Sequence, residues 1–302
     1  MTTRRFARYG CILSAALGGL SVSSPVSAQA WVPPAGVGAI TVGFQSIVNT
    51  GHRLHDGSRL PGYESDSRTL AFDFDYALTD RWSFAIGVPY VASRYLGPEP
   101  SLFGLPIDDC LCWNHGWQDL NFTARYNLAN GVFALTPSVS VGTPTHAYAD
   151  IGEAVLGRNL TEWRFAIDAG RRLDAISPRL MVSARYSYAV VERVPDSTGT
   201  AVANNRSNGA VEGGFMLARR LWLRGAFAWQ ASHGGLRSTE FNDDNFLLYD
   251  RVLRDNYRHV GAGVSYSLPR ADVFFSYLAY VAGTDTHVGR AVTFGVSLPF
   301  ER

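Results

Sequence analysis

The sequence predicts an all-β fold, a transmembrane antiparallel up-and-down β-barrel of about twelve strands, give or take two. Three observations predict it. Between Trp82 and Tyr90, Trp82, Phe84, Ile86, Val88 and Tyr90 fall on one parity, and Ser83, Ala85, Gly87 and Pro89 on the other. This period of two, which puts alternate side chains on opposite faces of a strand, recurs down the chain. Short and long connections then alternate, as they do when one rim of a barrel faces the periplasm and the other the outside. Finally, the chain starts like an exported protein.

The outward, apolar parity can be followed strand by strand. The first strand carries Ile40, Val42 and Phe44, and the second Leu70, Phe72, Phe74 and Tyr76. The third is the Trp82–Tyr90 stretch, and the fourth carries Leu120, Phe122, Ala124 and Tyr126. The fifth carries Phe133, Leu135, Val139 and Val141; Pro137 inside it removes a ladder hydrogen bond and predicts a bulge. Trp163, Phe165 and Ile167 mark the sixth, and Leu180, Val182, Tyr186 and Tyr188 the seventh. Val211, Phe215 and Leu217 mark the eighth, and Leu223, Phe227 and Trp229 the ninth. The last three carry Val260, Val264 and Tyr266; then Val273, Phe275 and Tyr277; then Val292, Phe294, Val296, Leu298 and Phe300.

Short turns are expected at 78–81, 129–131, 219–220 and 268–272, with Asn130-Gly131 a strong hairpin signal. Long connections are expected at about 49–66, 92–116, 143–160, 192–206, 231–256 and 282–289. An even strand count puts both termini on the periplasmic side. A soluble β-sandwich also alternates, but it does not predict aromatic residues at strand ends, strands of about 9–11 residues or the short–long alternation.

Residues 1–30 read as a cleaved signal peptide and 31–302 as one barrel domain of the cell outer membrane. Arg4, Arg5 and Arg8 precede a short apolar run from Cys11 to Leu20, and Val26-Ser27-Ala28 and Ala28-Gln29-Ala30 fit a small-x-small cleavage rule. No later segment approaches about 18 uninterrupted apolar residues, and mean hydropathy is close to zero. The formal net charge of +1 gives no pull toward nucleic acid. All 27 basic residues are Arg. Such guanidinium forks suit carboxylates inside a lumen, or outer-membrane lipid and lipopolysaccharide phosphates outside.

The inner parity carries Thr69, Asp73, Asp75, Asp119, Asn121, Thr123, Arg125, Arg164, Asp168, Met181, Ser183, Arg185, Glu212, Arg224, Gln230 and His259. A one-residue slip would turn these charges into lipid, at about 2–4 kcal/mol for each Arg at mid-bilayer. The pore-lining candidates are Asp73, Asp75, Asp119, Arg125, Arg164, Asp168, Arg185, Glu212 and Arg224. Two readings are open. The charges form a polar constriction that selects solutes, or they form an ion-pair network filling a narrow barrel.

Other candidates are weaker. Cys110, Cys112 and His115 have soft-ligand chemistry, but in an oxidising compartment a local or intermolecular disulfide, or two inert thiols, is favoured. His146, Tyr148, Asp150, His233 and His287 sit at the rim without a nucleophile context, so no enzyme, metal or cofactor is expected. The segment 241–256, with Asp243, Asp244 and the run Phe246-Leu247-Leu248-Tyr249, reads as a solvated loop rather than an inward constriction or a headgroup contact.

Four motifs carry a family resemblance. They are Ala30-Trp31-Val32-Pro33-Pro34-Ala35-Gly36; Leu78-Thr79-Asp80-Arg81-Trp82 with Gly87-Val88-Pro89-Tyr90; Gly116-Trp117-Gln118-Asp119-Leu120 with Ala124-Arg125-Tyr126; and Gly142-Thr143-Pro144-Thr145. Over about 31–300 the chain resembles the transporter-like outer-membrane barrels of the MetA pathway of phenol degradation family. The resemblance implies passive passage of a small, aromatic or hydrophobic solute. The alternative is a closed structural or adhesion barrel that binds a partner through its loops. With only a few residues between cleavage site and first strand, no N-terminal plug is expected. Glu301-Arg302 after Phe300 departs from the terminal aromatic of many barrels.

Overall fold

The computed structural model describes residues 30–96, 112–148, 154–195, 199–241 and 248–301. The signal peptide expectation (save Ala30), Cys110, Asp150, Asp243, Asp244, Phe246 and Leu247 lie outside the described residues. In chain order the elements are β1 Val37–Arg53, β2 Arg59–Ala77, β3 Trp82–Tyr95, β4 Asn114–Trp117, β5 Asp119–Tyr126, β6 Ala129–Asn130, β7 Phe133–Pro144, β8 Glu162–Arg172 and β9 Leu180–Val191. They continue as β10 Val194–Pro195, β11 Ala201–Val202, β12 Arg206–Ala218, β13 Leu221–Ser232, α1 Tyr249–Val252, β14 Asn256–Ser267, β15 Asp272–Thr284 and β16 Thr286–Glu301. Among the described residues α1 is the only α-helix.

Sequential antiparallel pairing runs round the sheet, and β1 pairs with β16 as well as β2, so the barrel closes and leaves no edge strand. β4 and β5 are two pieces of one barrel strand, β6 is a short stub on β7, and β10–β11 is a separate hairpin. Twelve barrel strands result, as the periodicity predicts. Val37 pairs with Glu301, so both ends of the barrel meet at the short-turn rim.

Alternation decides which side chains face which solvent. The outward parity is open: Phe165 is 50% exposed and Phe294 52%, whereas inward Thr41 and Thr136 are fully covered. The apolar face of a soluble protein would be buried the other way round. Cross-strand rings stiffen the outer surface, with Trp82 and Tyr126 centroids 4.8 Å apart and Phe44 and Phe294 5.1 Å apart.

Two prolines break the ladder. Pro137 offers no N–H to its neighbour, and there the pairing jumps from Arg125–Ser138 to Ala129–Leu135, so that residues 126–128 oppose 136 and 137. This is the bulge that Pro137 predicts. Pro89 does the same on β3: β4 and β5 part at Gln118, whose N–H donates to the Pro89 carbonyl at 2.9 Å.

Several boundaries differ from expectation. β1 and β2 run to 17 and 19 residues, beyond the about 9–11 that cross a bilayer, so the hairpin stands above the long-loop rim. The connection expected at 282–289 is a single-residue turn at Asp285, held in the left-handed region with φ 53°. A fifth short turn, at 173–179, joins β8 to β9. It lacks the Asn-Gly signature that marks the 129–131 turn.

Candidate functional site: a two-sided lumen

All nine pore-lining candidates project from the inner parity, and all lie on β2, β5, β8, β9, β12 or β13. Five ion pairs tie this arc together. Arg125 donates to Asp75 at 3.1 Å and Arg224 to Glu212 at 3.1 Å. Arg185 lies 3.7 Å from Asp168, which is 3% exposed. Arg164 donates to Glu162 at 2.5 Å, and Arg206 donates to the same carboxylate. Asp73 lies over Gly87, where a Cβ would run into its carboxylate. Asp119 accepts the Tyr148 hydroxyl at 2.5 Å. Sequence reading passed over Glu162 and Arg206, which sit at strand starts, and placed Tyr148 only as a rim residue of a loop.

The opposite arc, β14 to β16 and β1, is nearly uncharged inside. It is built from Thr41, Gln45, Thr293 and Ser297, with Tyr257, His259 and Tyr280 toward the long-loop rim. Thr41 donates to Ser297 at 2.9 Å and Gln45 to Thr293 at 3.1 Å, so these groups satisfy one another across the strand pair. The lumen therefore has a charged wall and a neutral hydroxyl and aromatic wall.

The N-terminal segment is anchored at the short-turn mouth. The Ala30 carbonyl accepts from Thr136 Oγ1 at 2.7 Å and from Asn127 Nδ2 at 3.4 Å, and the Val32 carbonyl accepts from Asn130 Nδ2 at 3.1 Å. Trp31 Nε1 donates to the Gly131 carbonyl at 3.0 Å, and its ring fills the place a Cβ on Gly170 would take. Ala30 and Val32 are buried. The segment is short, and its anchors lie on the neighbouring rim of β6–β8.

The long-loop end carries a cap. Leu160, Val191, Val194, Phe241, Tyr249, Val252 and Leu253 form a small apolar cluster, with Val202, Leu236 and Leu248 packed against it. The described part of 241–256 is therefore not the solvated loop expected. Its aromatic and aliphatic residues find partners on β9, the β10–β11 hairpin and the 154–161 segment. Asn204 Nδ2 donates to the Leu253 carbonyl at 2.5 Å, and Gln230 Nε2 to the Asp255 carbonyl at 2.8 Å.

The remaining candidates are absorbed structurally. Cys112 is disulfide-bonded, so it is not a thiolate ligand, and His115 meets the Tyr90 hydroxyl at 2.7 Å. No group of three or more metal-ligating side chains occurs among the described residues. His146 stacks edge-on against Tyr148, and His287 against His52. His233 Nε2 lies 2.6 Å from Ser207 Oγ, but that oxygen is shared with the Tyr186 hydroxyl at 3.0 Å. Among the described residues no carboxylate orients the ring, so the arrangement of a serine hydrolase is incomplete.

No protein-family model matches the sequence, and no curated protein matches it. The fold is shared. An outer membrane channel from Pseudomonas putida F1 superposes with a TM-score of 0.72 at 14% identity, over 91% of this chain and 99% of that one. NanC porin gives 0.52 at 10% identity, over 86% and 98%. The β-domain of the Bordetella autotransporter BrkA gives 0.52 at 14% identity, over 87% and 100%. The chain has the fold of an outer-membrane β-barrel.

Proposed function

We propose that this protein is an outer-membrane channel for passive passage of a small solute with an apolar, aromatic body and a polar group. The observation that carries the reading is the two-sided lumen. A charged arc offers guanidinium and carboxylate partners to a polar group, while the neutral arc offers rings and small hydroxyls to an apolar body. The similar Pseudomonas putida F1 structure is an outer membrane channel, and the motif resemblance to the MetA pathway of phenol degradation family favours the same class. The long-loop rim is then extracellular and the short-turn rim periplasmic, following export by the N-terminal signal. The chain's own groups bind and orient; no catalytic step is assigned.

A second reading has its own support. The segment 30–35 packed at the short-turn mouth and the apolar cluster at the long-loop end suit a structural barrel that uses its loops for a partner. Liposome swelling with the refolded mature chain separates the two. Entry of small aromatic acids or alcohols faster than into empty liposomes is the expected result. A folded barrel whose liposomes swell no faster than empty ones overturns the channel reading.

A further inference from the structure

Outside the barrel, just past the apolar band of β2, β3 and β4, the outward side chains change from aromatic to cationic within two rows. Leu70, Tyr90 and Trp117 stand in one row across the three strands. Phe72 packs on Trp117 with centroids 6.0 Å apart, and Tyr90 meets it edge-on at 5.3 Å. Such rings sit at the level where hydrocarbon gives way to headgroups. The next row toward the long-loop rim is Arg68, Ala92 and His115, and the row after that pairs Asp66 with Arg94. With about 3.3 Å of rise per residue, these rows lie where headgroup phosphates lie.

The cationic groups are held in place. The Arg68 and Arg94 guanidinium carbons stand 4.5 and 4.7 Å from the Trp113 ring centroid. A guanidinium over a ring is oriented by the π face and keeps the N–H donors on its edge. Arg94 spends two of them, Nε at 3.0 Å and Nη2 at 2.6 Å, on the single oxygen Oδ2 of Asp66. Among the described residues no carboxylate pairs with Arg68. His115 is exposed, and its Nδ1 is engaged with Tyr90. Between these residues Ala92 leaves the surface low. Glu64, exposed one row farther out, is the other carboxylate on this face, and Arg290 on β16 lies in line with Asp66 across Val48.

We propose that this patch binds the phosphorylated headgroup of an outer-leaflet glycolipid, one phosphate resting over Ala92 between Arg68, Arg94 and His115. The phosphate accepts from the free edges of both guanidiniums, and the acyl chains lie along Phe72, Tyr90 and Trp117. Two guanidiniums preset on one indole recognise a phosphate at a small cost in side-chain freedom. The site rests on the membrane orientation proposed above and is independent of whether the lumen conducts.

The test folds the full mature chain in phosphatidylcholine vesicles that also contain bis-phosphorylated lipid A, dephosphorylated lipid A or phosphatidylglycerol. Native mass spectrometry after detergent release reads the bound lipid, and heat-modifiable gel mobility reads the fold. The expected result is retention of bis-phosphorylated lipid A alone. Arg68→Gln lowers its apparent affinity about tenfold and Arg68→Lys by less, while Arg258→Gln, an outward arginine on β14, leaves it unchanged. Among the described residues Arg68 makes no ion pair, so its variants are expected to keep the fold even if Arg94→Gln does not. Equal retention by Arg68→Gln and the native chain, or equal retention of phosphatidylglycerol or dephosphorylated lipid A, overturns the proposal. A barrel that folds and retains lipid A but does not swell liposomes leaves the proposal standing and removes the channel reading.

Discussion

Asp255 sits fully buried where the cap joins β14, accepting from Gln230 Nε2 at 3.2 Å. Burial raises its carboxyl to about 6, with the nearby Asp285 charge adding to the rise while Thr286, Arg158 and Gln230 oppose it. The folded cap therefore prefers the protonated acid. That stabilisation is complete below the ordinary carboxylate range and is lost as pH rises through about 6. The cap should be more resistant to limited proteolysis at about pH 5 than at about pH 7, and Asp255→Asn should flatten the difference by about 1–3 kcal/mol. An unchanged pH slope in the variant would remove Asp255 as its cause. On the charged wall, Arg125 is the better probe. Its partner Asp75 is only partly covered, so Arg125→Gln avoids stranding a buried charge as Arg185→Gln would beside Asp168.

Strand faces were legible because alternation is local. Every outward residue needs only its neighbours two positions away, and Phe165, Val139 and Tyr188 fall side by side outside as the parity requires. Phe165→Arg should cost about 2–4 kcal/mol in folding from urea into vesicles if this row crosses mid-bilayer. Ser140→Asn, one parity away in the lumen, should be near neutral. Equal costs would contradict the face assignment. Pro137 likewise announced its bulge. The N-terminal segment was not legible, since Asn127, Thr136 and Gly170 lie 97, 106 and 140 residues from Ala30 and nothing local links them. A Trp-Val-Pro-Pro run too apolar for a free tail was its only signal. Gly170→Leu should displace Trp31 from the mouth without touching a lumen charge. It should raise the frequency of open events in bilayer recordings, and unchanged gating would mean that the segment does not restrict the path.

At the scale of the whole molecule, closure of the sheet came from the count and alternation of strands, while the two-sidedness of the lumen came only from assembly. The sequence shows each charged strand separately. Only the ring order places the charged strands, β2 through β13, along one arc and leaves Thr41, Gln45, Thr293 and Ser297 to face it. The cap escaped for the same reason, because its apolar residues come from separate connections and a strand end that meet only in the fold. In a conducting lumen the charged arc should set the ion preference. The most direct measurement is single-channel current of the refolded mature protein in a planar bilayer under a salt gradient, with the Arg125→Gln variant beside it. Discrete ohmic steps whose reversal potential shifts toward cation preference in Arg125→Gln are the predicted result. A correctly folded barrel that passes no current, or a variant with an unchanged reversal potential, would contradict a conducting lumen governed by that arc.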